Sequence, residues 1–406
     1  MESLENMFVR QKVALVIDAL PGIGGAEKVL MAAMGLFPDA PIYTLIYNRD
    51  AFTGTPIAAR QVIPSFIDRL PQVDTQYRRY LPLMPGAIEW FDLRGYDLIL
   101  SFSYAVAHGI RVQAGQEHIS YTFTPMRYAW CGMGLDGVEG SQDRITNWLL
   151  GTFRNWDSAA VDRVDRFAAV SGWIADCAMR AYQRESTVIY PPVEVERFSS
   201  QRERGDYFIT VNRLVAHKRV DLMVDAFNLL QLPLLVVGDG PERSRLERRA
   251  EPNIRFLGYQ SDQKIAELLG RARAYICAGK EDFGIAAVEA QAAGCPVIAY
   301  RMGGVMETVI EGQTGLFFDE AGFESLMDAV CRFEARVQGF HPAQIAASVL
   351  HFNKQRFLHE FAAFSGIFGD LQQIWGGNPI SLFDKPAPVL ADHGDSLPTA
   401  RRSPQL

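Results

Sequence analysis

Short apolar runs alternate along this chain with longer stretches whose apolar residues recur every three or four positions, as when strands alternate with helices. The run at residues 13–17 predicts a buried strand, and the glycines of Gly22-Ile23-Gly24-Gly25 predict a loop. Val29, Leu30, Ala33 and Met34 share one face of a helix expected over residues 26–36. Residues 42–46 and 97–101 predict further strands. Residues 164–170 predict the last strand of this half, and Ser171 can cap the helix after it. Tyr190-Pro191-Pro192-Val193 then breaks the pattern, because neither proline fits inside a helix or a central strand. A second series follows, with strands at 207–211, 234–237, 254–257, 274–277 and 296–300 and a helix at 220–230. Residues 341–375 read as helical, and the Pro-, Asp- and Ser-rich stretch from 376 reads as disordered.

Such alternation implies parallel sheets with crossover helices, so the fold class is α/β. The expected organisation is a Rossmann-like domain at 1–190, a linker at 191–204 and a second Rossmann-like domain at 205–345. Helices at 346–375 and a tail at 376–406 complete it. A chain of 406 residues suits two cores rather than one. Two doubly wound sheets leave a cleft, and their ligands bind beyond the carboxyl ends of the strands.

Charge and cysteine usage narrow the partners. The net charge is -7 and neither half is a basic module, which argues against nucleic acid. Five cysteines lie scattered without a C-x-x-C pair, disfavouring a disulfide framework or a zinc site and pointing to a reducing, cytoplasmic compartment. Residues 13–20 contain Asp18 and read as a strand rather than a leader. No run approaches the ~20 apolar residues of a membrane span, so any membrane contact would be peripheral. Residues 60–94 combine arginines with Trp90, Phe91 and several tyrosines. They suit either a membrane-docking face, at the inner side of a plasma membrane, or an ordinary folded surface.

The candidate chemistry gathers where strands end. In Cys277-Ala278-Gly279-Lys280-Glu281-Asp282-Phe283-Gly284-Ile285, a strand gives way to a loop and then to a helix beginning near Gly284. Free N–H groups of that first turn can take a phosphate or sugar oxygen. Glu281 before the helix and Glu289 within it suit hydrogen bonds from sugar and ribose hydroxyls on either side of a diphosphate; a cap and a solvated side chain are the plainer alternative. Arg213 and Lys218 follow another strand and could neutralise a departing diphosphate without a metal, or be ordinary surface residues. No Asp-x-Asp pair offers a bridging-metal site for that task, so no metal or cofactor is expected. The turns holding Gly24 and Gly25, and Gly238 and Gly240, either face a nucleotide or simply reverse the chain.

Together these motifs resemble glycosyltransferase family 4 over about residues 12–375. Glu281 to Glu289 matches the family's Glu-x7-Glu signature, Arg213 and Lys218 its phosphate-binding pair, and Gly24-Gly25-Ala26-Glu27 its amino-terminal turn. The resemblance implies a GT-B fold: two Rossmann-like domains, a deep cleft and carboxyl-terminal helices crossing back to the first domain. It implies a retaining enzyme that binds a nucleotide-diphosphate sugar through Gly24, Gly25, Gly238, Gly240, Phe283, Gly284, Ile285 and Glu289. Thr124-Pro125-Met126-Arg127-Tyr128-Ala129-Trp130 resembles bacterial mannosyltransferases that act on a glycan or lipid-linked saccharide and favour GDP-mannose. Phe123 stands where that branch has histidine, and Cys131 where aspartate is common. His108 could supply the missing polar contact to the acceptor, or be structural. A GT-B epimerase and a catalytically silent carbohydrate-binding protein stay open as alternatives.

Overall fold

The computed structural model describes residues 11–130, 144–200 and 203–367. Among these, thirteen strands form two parallel sheets. The first contains β1 (Val13–Ile17), β2 (Ile42–Thr44), β3 (Val62–Pro64), β4 (Leu98–Ser103), β5 (Glu117–Thr122), β6 (Arg166–Ala169) and β7 (Ser186–Val188), in the order β3-β2-β1-β4-β5-β6-β7. The second contains β8 (Phe208–Val211), β9 (Leu234–Val237), β10 (Ile254–Gly258), β11 (Tyr275–Cys277), β12 (Val297–Tyr300) and β13 (Gly315–Phe318), ordered β10-β9-β8-β11-β12-β13. Helices of eight residues or more are α1 (Gly25–Ala33), α2 (Arg144–Val161), α3 (Gly172–Tyr182), α4 (Val220–Leu230), α5 (Asp262–Arg271), α6 (Ile285–Ala292), α7 (Phe323–Glu334) and α8 (Lys354–Phe364).

The strand order reverses between β1 and β4 in one sheet and between β8 and β11 in the other. Loops diverge at such points and leave a crevice at the carboxyl ends. Both sheets are covered on two faces, which is why their central strands read as continuous apolar runs. In the second domain Phe208, Phe227 and Phe333 fill one side, and Tyr275, Ala290 and Phe317 the other.

Several elements depart from the sequence reading. Residues 164–170 do not hold the last strand of the first sheet: β7 adds an edge beyond β6. Its three residues, Ser-Thr-Val, carry too little apolar signal to stand out. β5 went unread because it is polar inside, with His118 and Ser120 buried and His118 Nε2 2.8 Å from Ser101 Oγ. β3 and β13 are three and four residues long and were also missed. The helix expected at 26–36 tightens into a 3-10 turn at Met34–Leu36.

The helical segment at the carboxyl end divides. Pro342–Ser348 packs beside α6 in the second domain, whereas α8 crosses to the first. There Phe361 lies 5.9 Å from the Phe102 ring and 5.8 Å from Tyr121, and Phe357 lies 6.0 Å from Tyr121. Arg356 Nη2 donates to the Pro191 carbonyl at 3.2 Å, and Val193 N to the Phe352 carbonyl at 2.9 Å. The tail expected from 376 lies outside the described residues, as does Cys131.

Candidate functional site

The loops after β8 and β11 meet at the reversal point of the second sheet. Lys218 closes a 3-10 turn after β8 and donates from Nζ to both carboxylate oxygens of Glu281, at 2.8 and 2.6 Å. Burial works against the Lys218 charge, but the adjacent Glu281 outweighs it and holds the ammonium above its ordinary range. Arg213, earlier in the same loop, is exposed and acts electrostatically on Glu27 of the first domain. His217 stands among these cations. Burial first, then the charges of Arg127, Lys218, Arg78 and Arg213, press its pKa down to about 3. Positive groups from both domains therefore surround a neutral imidazole, two of them, Lys218 and Arg127, paired with Glu281 and Asp282.

The first domain contributes the turn before α1. Gly24 N donates to Glu27 Oε2 at 2.8 Å, a capping contact that fixes the turn. Glu27 is only 6% exposed. Burial pushes its carboxyl up to about 7, against the pull of the Gly24 amide and Arg213. Gly25 faces the second domain: a Cβ there would stand 3.1 Å from Ile285 Cδ1. One turn on, Lys28 Nζ reaches Glu289 Oε1 at 3.3 Å, and Arg197 reaches the same oxygen at 3.0 Å. Glu289 is buried, so its carboxylate sits charge-paired at the domain seam.

Most of the residues singled out from the sequence converge here. Ile285 opens α6, whose first N–H groups have no intrahelical acceptor. Gly284 precedes it at φ 93. The Phe283 side chain turns away and is buried against Tyr190 (5.6 Å) and Phe352 (5.2 Å), leaving its backbone to the turn. Gly238, at φ 121, packs so tightly on the Asn212 carbonyl that any Cβ would collide with it. Gly240 packs in the same way on Leu214, which seats the turn after β9 against the Arg213 loop.

His108 is the exception. Its ring is 2% exposed, with Nδ1 2.9 Å from Ser103 Oγ and Nε2 2.9 Å from Asp157 Oδ1. Enclosed by Trp156 and Tyr182, it is a structural histidine, and an acceptor contact from it is corrected accordingly. The buried Asp18 carboxylate accepts the amides of Tyr104, Ala105, Val106 and Ala107 at 2.5–3.0 Å and so fixes the loop that holds His108. Phe123 packs on Tyr104 and Tyr121 instead of offering a polar atom.

Three further groups join the domains at this rim. Arg127 of the first domain pairs with Asp282, next to Glu281. Ser171 accepts the Ile174 N–H at 3.1 Å as the cap of α3 and donates to the Asp282 carbonyl at 2.6 Å. Glu307 of the second domain accepts the Gly172 and Trp173 amides at 2.9 and 2.8 Å. Contacts between residues more than a hundred positions apart leave no local signal. The capping serine alone could be read in advance. Among the described residues no three His, Cys, Asp or Glu side chains are grouped to hold a metal.

Comparison with known proteins places the fold and part of the sequence among glycosyltransferases. Residues 193–336 match the family model Glycosyl transferases group 1. An uncharacterized glycosyltransferase of Methanocaldococcus jannaschii is 29% identical over 42% of this chain and 50% of its own length. A GDP-mannose-dependent alpha-mannosyltransferase of Corynebacterium glutamicum is 31% identical over 30% of each chain. The D-rhamnosyltransferase WbpZ of Pseudomonas aeruginosa is 28% identical over 49% of this chain and 58% of its own. The chain thus spans about half or less of most of these relatives. Among solved structures, sucrose-phosphate synthase from Thermosynechococcus elongatus superposes with a TM-score of 0.70 at 18% identity, over 91% of this chain and 100% of that one. Anabaena HepE in complex with UDP-glucose gives 0.64 at 18%, over 87% and 99%. The fold is GT-B.

Proposed function

We propose, taking the family match over residues 193–336 as the premise, that this chain is a retaining glycosyltransferase of family 4. It moves a hexose, mannose before others, from a nucleoside-diphosphate sugar to a glycan or lipid-linked saccharide. The reading rests above all on three neighbouring contacts: Lys218 paired with Glu281, Arg213 acting on Glu27 of the other domain, and Gly25 of that domain set against Ile285 at the start of α6. The name of the corynebacterial relative supports mannose and GDP; the UDP-glucose complex of the Anabaena neighbour makes UDP-glucose the control donor.

Glu289 accepts hydroxyls of the ribose, and Lys28 and Arg197, which hold it now, yield as the donor enters. Glu281 takes the outer hydroxyls of the sugar. Arg213, Lys218 and the amides opening α6 face the diphosphate, where negative charge grows as the bond from the anomeric carbon to the phosphate oxygen breaks. The acceptor oxygen attacks from that same side and its proton passes to the departing phosphate. Protein cations neutralise the leaving group, so no step requires a metal. Contact between the domains excludes water as a rival acceptor.

Membrane contact through residues 60–94 belongs to the same proposal. Trp90 is 80% exposed, Phe66 and Leu83 each 45%, and Arg79 is exposed as well. No helix among the described residues is long and apolar enough to cross a membrane. Co-flotation with anionic vesicles is expected, and its loss in Trp90→Ala would tie it to this face. Hydrolysis of GDP-mannose, UDP-glucose and ADP-glucose tests the central claim. Release of one nucleotide well above the others supports it; release of none, at saturating donor, overturns it.

A further inference from the structure

The loop that carries Glu281 is braced from the opposite domain. Asp282, the next residue, is held at its carboxylate by Arg127 and at its carbonyl by Ser171. Lys280, the residue before, places Nζ 4.6 Å from the centre of the Trp173 ring. Behind the loop, Gly304 N donates to the Glu281 carbonyl at 2.8 Å, and Glu307 in the same turn caps the first amides of α3. Every one of these ties except the Gly304 amide joins the two domains.

We propose that Arg127 and Asp282 form a clasp that sets the Asp282-Phe283-Gly284 turn, and with it the amides opening α6, when the domains meet, which makes Arg127 a positioning residue for the donor diphosphate. The argument is one of unmet groups. Drawing the domains apart leaves the partly buried Arg127 and Asp282 charges without each other. It also removes the acceptor of the Ser171 hydroxyl and uncaps the Gly172 and Trp173 amides. In the separated state the loop keeps its tie to Gly304 and the Lys218–Glu281 pair but loses its constraint at Asp282. Glu281 itself stays held by Lys218 and Gly304, so the freedom falls on the Asp282-Phe283-Gly284 turn that follows it and on the amides opening α6. Closure and donor alignment thereby become one event. The consequence for catalysis rests on the glycosyltransferase reading; the clasp itself does not.

The test uses the full chain as wild type, Arg127→Asp, Asp282→Arg and the double exchange, with Asp282→Asn as a milder variant. Hydrogen exchange is followed at the amides of residues 172–174 and 281–286. Each single variant should speed exchange at both places about tenfold or more, and the double exchange should return it toward wild type. Turnover of GDP-mannose and UDP-glucose is measured in parallel. The single variants should lower kcat about tenfold with donor KM nearly unchanged, because the nucleotide is held mainly by the second domain. The double exchange should recover kcat. Wild-type exchange rates in the single variants and in Asp282→Asn would overturn the clasp, as would a double exchange no better than the singles. Exchange that follows the pattern while the wild type hydrolyses neither donor upholds the clasp and removes the glycosyltransferase reading.

Discussion

Lys218 keeps its charge in a half-buried setting because Glu281 lies within hydrogen-bond reach of it. A cation so placed acts on the leaving group with less screening than one in open water. Lys218→Ala and Arg213→Ala should each remove roughly 2–4 kcal/mol of transition-state stabilisation, read as kcat for donor hydrolysis; near-normal turnover in both would end the mechanism. Glu27 makes a prediction of opposite character. Its carboxyl titrates at about 7 in the folded protein against 4.5 for the unfolded reference. Between those values the folded chain holds a proton that the unfolded chain has lost, so stability falls as pH rises through that window, by at most about 3 kcal/mol. Glu27→Gln keeps an acceptor for the Gly24 amide and removes this slope. Its stability relative to wild type should therefore grow from pH 5 to pH 8, as urea midpoints will show. An equal difference at both values would contradict the burial of that charge. Residues such as Lys218 and Glu281 were legible because each stands in a motif at a strand's end. Arg127 was visible as a motif member, but its partner, like those of Glu307, comes from the fold.

Elements repeat the lesson on a larger scale. β1, β8, β9 and β12 announce themselves as apolar runs, because both faces of a parallel sheet are covered. β5 does not, since its buried His118 and Ser120 make polar contacts, with Ser101 and Thr122 respectively, instead of apolar packing. The meeting of α1 with α6 is the element contact on which the site turns. Gly25 permits it, as a side chain there would press on Ile285. Gly25→Val should hold the two helix starts apart and lower kcat/KM for the donor at least tenfold. The thermal midpoint should change by only a few degrees, since neither domain interior is touched. A variant as active as wild type would show that this close approach is dispensable.

At the scale of the whole molecule, the two sheets are tied by α8, whose Phe357 and Phe361 pack on Tyr121 and Phe102 of the first domain. Phe361→Ala should cost about 3–5 kcal/mol in denaturant unfolding. The loss should appear in the first domain, seen as faster proteolysis within residues 98–122 while the second domain stays resistant. Equal protection of both domains would remove α8 from the first core. That crossing has a consequence for the growing chain. The half that leaves the ribosome first cannot cover its apolar sheet face until residues 354–364 emerge, after the entire second domain. Folding would therefore be completed in the later half before the earlier one. In the interval the exposed Phe102 and Tyr121 face offers a binding surface to chaperones.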